Sequence, residues 1–330
     1  MNVSLIFVFL LFCLILMPRI INAAPLKPCS RGSLDESFCD NDNDLLADPP
    51  DDPSEWLDPY PLVFAYTPVE DPIVYQNAWA DFIVHMEKVT KRKVELFPIQ
   101  SNAAEIKAMR IGKIHVAGFN SGSNPLAVNC AGFHPFTLMA KEDNSFGYQM
   151  EIITYPGSKI ERVLDIKGKL LAFTAPTSNS GFKAASAILE KNFNLIKGRD
   201  FKFTFSGRHD ASILGVKNKQ YPAASIAGSV RKRMFKRGLL KESDLSILYT
   251  SQTFPNTGFG YVYNLKPDLV KSIKKAFSTF QWTKPNGSPS SLKAEFQSSG
   301  YTQFMPINYK KDWKIIREID KANNESYLCR

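Results

Sequence analysis

The chain has 330 residues, 44% of them hydrophobic and 22% charged, with a formal net charge of +9. That length exceeds what one hydrophobic core usually serves, so two lobes are expected, and the absence of any solenoid-period repeat argues against a solenoid or propeller. The charge is uneven, since residues 35 to 58 hold ten acids and no base; no basic motif interleaved with aromatics appears, so nucleic acid is not an expected partner.

Residues Leu5 to Met17 form an uninterrupted apolar run, followed by Pro18, Arg19 and the small-residue stretch Asn22-Ala23-Ala24. The run is shorter than the roughly 20 residues of a membrane-spanning helix. It reads as a secretory signal over residues 1–24, which implies export. An uncleaved anchor is the alternative, because no Lys or Arg precedes the run. Cys29 lacks a preceding lipobox. Removing the signal removes Cys13 and leaves Cys29, Cys39, Cys130 and Cys329. An even count in an exported chain points to disulfides. Of the three connectivities, sequence proximity favours Cys29–Cys39 with Cys130–Cys329.

Residues 25–60 are rich in Pro and Asp and carry no helix or strand period, so an extended segment is expected. Within it Asp40, Asp42, Asp44, Asp48 and Asp51 fall at positions 1, 3, 5, 9 and 12 of a twelve-residue stretch, with the Leu46 carbonyl available at position 7. Oxygen ligands at such intervals suit a structural calcium ion. The stretch resembles an EF-like or thrombospondin type-3 calcium loop, with Leu45 where that loop usually has Gly. A solvated acidic linker is the alternative, and no other cofactor is expected.

Alternation begins at Leu62. Strands are predicted at Leu62–Tyr66, Val94–Phe97 and Ile114–Phe119, with helices at Pro72–Thr90 and Ala103–Ile111; this βαβαβ rhythm implies a parallel sheet covered by helices. A second series follows: strands Lys169–Thr174, Phe201–Phe205, Tyr221–Ala227, Leu245–Tyr249 and Phe259–Tyr263, with helices Ser180–Asn194, His209–Asn218, Ser229–Lys236 and Pro267–Phe280. Beyond Trp282 the tail reads as partly helical. The basic cluster Arg231-Lys232-Arg233 with Lys236-Arg237 is expected on a solvated helix face.

The most informative junction is Thr174-Ala175-Pro176-Thr177-Ser178-Asn179-Ser180-Gly181-Phe182. Hydroxyl and amide donors cluster there at a helix start. Backbone N–H groups at that position lack intrahelical partners, and the helix dipole adds positive charge. Together they suit a phosphate-like anion without any Lys or Arg; simple capping explains the same residues. Phe119-Asn120-Ser121-Gly122-Ser123 follows another strand in the same way, and His209 opens a third junction. His209 and Asp210 are no catalytic pair, because neighbours in sequence do not face each other on a helix. No nucleophile motif, phosphate-binding loop or zinc spacing is present, so an enzyme is not expected.

The order of Phe64-Ala65-Tyr66-Thr67-Pro68, Met109-Arg110-Ile111-Gly112-Lys113, Ser178-Asn179-Ser180-Gly181-Phe182 and His209-Asp210-Ala211-Ser212-Ile213-Leu214 resembles the phosphate/phosphite/phosphonate-binding proteins of ABC importers, the PhnD-like group of the type II periplasmic-binding fold. The similarity covers about residues 61 to 265. It implies an α/β fold of two lobes, each a mixed, mostly parallel sheet flanked by helices: 61–152 with 255–330, and 153–254. It also implies that Ser178, Asn179, Ser180 and His209 hold the oxygens of the ligand, with Asn179 replacing the usual Thr. Relatives that bind aminoethylphosphonate carry two carboxylates for its ammonium, and the matching positions here are Ser229 and Thr257. A position often held by Tyr is Asn102.

The resemblance further implies a monomeric substrate-binding protein that closes on its ligand about crossings near Glu151–Tyr155 and Leu248–Phe254. One lobe would offer Tyr66, Asn102, Phe119, Asn120 and Ser121, the other Ser178–Ser180 and His209. With no counter-charge for an amine, the expected ligand is phosphite, methylphosphonate or phosphate. The expected partner is an importer permease, which would be the chain's only link to a membrane. Another small anion, bound by an enzyme or sensor subunit on the same fold, is the alternative.

Overall fold

The structure is a computed structural model that describes residues 29–329 except Pro68 and Gln76. The expected signal segment therefore lies outside the described residues. In chain order the regular elements are β1 (Leu62–Tyr66), α1 (Ala80–Thr90), β2 (Val94–Leu96), α2 (Asn102–Arg110), β3 (Val116–Phe119), α3 (Asn124–Ala131) and β4 (Phe133–Ala140). There follow β5 (Tyr148–Thr154), β6 (Leu170–Phe173), α4 (Ala184–Phe193), β7 (Lys202–Phe205), α5 (His209–Lys217), β8 (Ala223–Ala227), α6 (Gly228–Lys236) and β9 (Ser246–Phe254). The chain ends with β10 (Gly258–Val262), α7 (Pro267–Thr279), α8 (Ser291–Glu295), β11 (Gln303–Pro306), α9 (Tyr309–Asp312) and α10 (Lys314–Ala322).

The strands form two mixed sheets. The first has the order β11-β4-β10-β3-β1-β2, and the second β7-β6-β8-β5-β9. In the first, β1 runs parallel to β2 and β3, while β10 runs antiparallel to β3 and β4. In the second, β6 runs parallel to β7 and β8, while β5 is antiparallel to β8 and β9. The chain leaves the first sheet in the turn 141–147 and returns through 255–257. The expected crossings Glu151–Tyr155 and Leu248–Phe254 instead overlap β5 and fall within β9, strands of the second sheet.

Local chemistry explains the elements that carry the first sheet. Helix α7 has Pro267 in its first turn, where the missing N–H costs nothing, and buries Leu269, Ile273, Ala276 and Phe277 at helical spacing. That face meets α1, with the Phe82 and Phe277 rings 4.7 Å apart. Phe304 from β11 joins both, 5.4 Å from Phe82 and 4.9 Å from Phe277. The predicted helix Pro72–Thr90 is broken. Pro72–Tyr75 is a 3₁₀ turn and the α-helix starts only at Ala80. The break lets Tyr75 and Trp79 both pack on Tyr66, each 5.0 Å from its ring.

From Cys29 onward the N-terminal segment is irregular rather than extended, a series of turns and bends with one 3₁₀ turn at Pro53–Glu55, and it lies against the first half by burying Leu34, Phe38 and Ala47. Both expected disulfides form, Cys29–Cys39 and Cys130–Cys329. The basic cluster departs from expectation. Arg231 makes a two-pronged pair with Glu151, and Arg233 and Arg237 share Glu70. Carboxylates presented by neighbouring elements, invisible in local sequence, draw these side chains out of solvent. Lys232 does stay exposed.

Candidate functional site

The two sheets face each other across a cavity of about 60 Å³. Space on this scale suits a ligand of only a few heavy atoms.

From the second sheet, β6 leads into the turn that starts at Ser178. Five residues, Asn179–Lys183, form a π turn before α4 begins, so the predicted single helix Ser180–Asn194 has a widened first turn. Lys183 N donates to the Ser178 carbonyl five residues back, the bond that defines the widening. Glycine is required at 181, since a Cβ there would lie 1.9 Å from Thr174 Oγ1. Ser178 Oγ accepts from the Gly181 N–H at 3.0 Å, which leaves its hydroxyl hydrogen free to donate.

His209 is the first residue of α5. Its Nδ1 accepts the Ala227 N–H at 3.0 Å, so a neutral ring must carry its proton on Nε2, 3.4 Å from Ser178 Oγ. Burial, reinforced by Arg233 and opposed by Glu70, pushes its pKa down to about 4. The ring is therefore a neutral donor. It cannot take a proton from Ser178, so the adjacent Ser and His are not a nucleophile and base.

From the first sheet come Tyr66, at the end of β1, and Asn120 with Ser121, after β3. Asn120 Oδ1 caps the turn by accepting from Gly122 N and Ser123 N, and its Nδ2 donates to Asn102 Oδ1. Asn102 Nδ2 then donates to Thr177 Oγ1 at 2.7 Å, joining the two halves. They meet again where His209 N donates to the Val69 carbonyl and where buried Lys183 pairs with Asp320 at 2.8 Å and donates to the Gly122 carbonyl.

Of the residues singled out by sequence, Tyr66, Asn120, Ser121, Ser178, Asn179, His209, Ser229 and Thr257 line the cavity. Three do not. Phe119 points into the core, 4.7 Å from the Phe133 ring, because side chains alternate across a strand. Asn102 acts through its bonds to Asn120 and Thr177. Ser180 is buried behind the turn, its carbonyl accepting from Ser225 Oγ. The lining also includes Tyr148, Arg233, Asn256, Phe296 and Tyr301, which sequence reasoning missed. Tyr148 accepts from Asn179 Nδ2 at 3.3 Å. Arg233 corrects the expectation of a site without Lys or Arg. No Asp or Glu is among the lining residues.

In the acidic loop, Asp40, Asp42 and Asp44 each bring a carboxylate oxygen within 4.8 Å of the others. These are three of the six expected ligands, and Asp48 and Asp51 are not in that carboxylate group, Asp48 Oδ2 accepting instead from the backbone and side-chain amides of Asn41. Burial and the neighbouring carboxylates raise the Asp40 and Asp44 pKa values, although hydrogen bonds from the loop backbone oppose them.

Among the described residues no helix is long and apolar enough to cross a membrane. The chain is 26% identical over 255 residues to the phosphonates-binding periplasmic protein of Escherichia coli (strain K12), covering 75% of each chain. It is also 26% identical over 230 residues to the phosphate-import protein PhnD of Mycolicibacterium smegmatis, covering 67% of this chain and 72% of that one. PhnD1 of Prochlorococcus marinus, solved in complex with methylphosphonate, superposes with a TM-score of 0.69 at 17% identity, over 81% of this chain and all of that one (100%). A binding protein component of an ABC phosphonate transporter from Pseudomonas aeruginosa also gives 0.69, at 20% identity over 81% of this chain and 88% of its own. The fold is thus the two-sheet type II periplasmic-binding architecture. Residues 64–313 match the family "ABC transporter, phosphonate, periplasmic substrate-binding protein", and the chain belongs to that family.

Proposed function

We propose that this chain captures a small phosphorus oxyanion, namely phosphite, methylphosphonate or phosphate, and presents it to the permease of an ABC importer. The observation that carries the reading is the convergence of the Ser178 hydroxyl and the His209 Nε2–H on a cavity of about 60 Å³ with no acidic lining residue. The start of the π turn adds backbone N–H groups and a dipole of the right sign. An ammonium group on the ligand would find no counter-charge among the lining residues.

The expected lobes, residues 61–152 with 255–330 and 153–254, are kept except that their first boundary moves back to the turn 141–147, which puts all of β5 in the second lobe. An anion held by Tyr66, Asn120 and Ser121 on one side and by Ser178, Asn179 and His209 on the other binds the closed state better and shifts the population toward it. The chain acts as an exported monomer without an enzymatic step, and residues 1–24 serve as its signal. Calorimetric titration of the mature protein with methylphosphonate, phosphite, phosphate and 2-aminoethylphosphonate tests the reading. Tighter binding of 2-aminoethylphosphonate than of the others would reject it.

The acidic loop supports a second reading, a structural calcium site held by Asp40, Asp42 and Asp44. Asp40 is only 2% exposed, yet its Oδ1 has no hydrogen-bond partner. Three carboxylates gathered this closely favour a hard cation. Calcium should raise the melting temperature in wild type and not in Asp42→Asn; a wild-type melting temperature blind to calcium would leave a plain acidic linker.

A further inference from the structure

The cavity has one buried cation in its wall, Arg233 of α6. Its side chain is only 5% exposed. Nε donates to Glu70 Oε1 at 2.6 Å, Nη2 lies 3.4 Å from the Tyr75 hydroxyl, and the guanidinium sits 5.5 Å from the Phe296 ring centre. Glu70 comes from the opposite half of the molecule, so this placement belongs to the closed arrangement. Glu70 does not line the cavity, and its second oxygen is taken by Arg237 at 2.6 Å. Arg237 in turn pairs with Glu295.

The chain Arg233–Glu70–Arg237–Glu295 is balanced in formal charge, but it is oriented. Its positive end borders the cavity and its carboxylates lie behind. The charge of Arg233 is felt at Tyr66, Tyr301 and His209, all of which line the same space, and it outweighs the charge of Glu70 at Tyr66 though not at His209.

We infer that Arg233 is a specificity-determining residue that rejects ligands bearing a cationic substituent and favours those whose substituent is uncharged. The inference rests on the oxyanion reading above and adds to it. Missing carboxylates merely fail to welcome an ammonium, whereas a buried guanidinium at the wall repels it, and discrimination of this kind commonly needs a repulsive element. In a closed, poorly solvated space two such charges are weakly screened.

The test measures dissociation constants by calorimetry for methylphosphonate and 2-aminoethylphosphonate. It uses wild type and the paired variant Glu70→Gln/Arg233→Met, which removes both charges together and avoids stranding a buried carboxylate. The ratio of the two constants should fall at least tenfold in the variant. A ratio within twofold of wild type, with methylphosphonate still bound, overturns the role of Arg233 and leaves the oxyanion reading standing. Wild type that binds no phosphorus oxyanion at all removes both.

If the paired variant does not fold, Glu70→Gln/Arg233→Gln, which removes the same charges and keeps polar side chains that can hydrogen-bond, takes its place, and in wild type propylphosphonate, which matches 2-aminoethylphosphonate in size without its charge, serves as the control for size. Propylphosphonate should bind at least tenfold more tightly. Equal affinities, or failure of both while methylphosphonate binds, would show that size and not charge excludes the amine and would overturn the inference.

Discussion

The backbone N–H of Ala227, at the end of β8, donates to Nδ1 of His209, the first residue of α5, at 3.0 Å. This one bond fixes the tautomer of a ring that faces the cavity, and burial keeps the ring neutral. Protonation would put a hydrogen on Nδ1 against the Ala227 N–H, so the native state resists it.

Stability should therefore depend on pH through His209. Its pKa is about 4 in the folded chain, below the ordinary value of 6.5. The unfolded chain takes up the proton first as pH falls, so the contribution is present above about 6.5 and lost progressively toward pH 4. At about 1.4 kcal/mol per pKa unit, the loss amounts to about 3 kcal/mol. Denaturant unfolding between pH 4.5 and 7 should show a steeper decline for wild type than for His209→Gln. Buried His115 and the partly buried His85 and His134, whose pKa values burial also lowers, are common to both proteins and cancel. Parallel curves would contradict the assignment.

Ser178 both caps its turn and offers a hydroxyl to the cavity. Ser178→Ala should weaken methylphosphonate binding by about 1–3 kcal/mol, the cost of leaving a buried charged acceptor short of one donor. Loss of the cap should lower stability by about 1 kcal/mol as well. Calorimetry and thermal unfolding separate the two effects; an unchanged dissociation constant would place the anion elsewhere.

Gly122 sits where the halves touch. A Cβ at that position would lie 2.4 Å from both the Thr177 carbonyl oxygen and the Asn179 backbone nitrogen. These are backbone atoms of the opposite half, and neither can turn aside. Gly122→Ala should therefore oppose closure and raise the ligand dissociation constant at least tenfold, while leaving the ligand-free melting temperature nearly unchanged. Small-angle scattering should show the variant failing to compact when ligand is added; full compaction would refute the contact as a closure point.

The two disulfides should differ in their effect on stability. Cys130–Cys329 spans 199 residues and Cys29–Cys39 only 10. Loop-closure entropy places the longer link at about 5 kcal/mol and the shorter near 3 kcal/mol. Unfolding free energies of Cys130→Ser/Cys329→Ser and Cys29→Ser/Cys39→Ser should fall in that order. The long link ties the C-terminal tail to α3, and Arg110 at the end of α2 also donates to the Cys329 carbonyl.

Much of this arrangement was legible in the sequence, and the boundary has a physical cause. Apolar runs marked β1 to β3 and β6 to β10, because burial on a sheet face imposes its spacing locally, but β4, β5 and β11 went unread. Polar donors at strand-to-helix junctions marked Asn120, Ser121, Ser178, Asn179 and His209, because a helix start needs capping wherever it lies. What sequence did not show was which side chains distant elements bring together. Arg233 reads as one of a run of surface cations, and only Glu70, 163 positions away, pulls it to the cavity wall. Tyr148 and Tyr301 carry no local signal, because their neighbours come from other parts of the chain. The tautomer of His209 likewise depends on Ala227, 18 positions away, meeting it in space. Spacing along the chain determined where anion donors can form; only tertiary packing decided which charge stands beside them, because electrostatic environment is a property of distance in space and not of order in sequence.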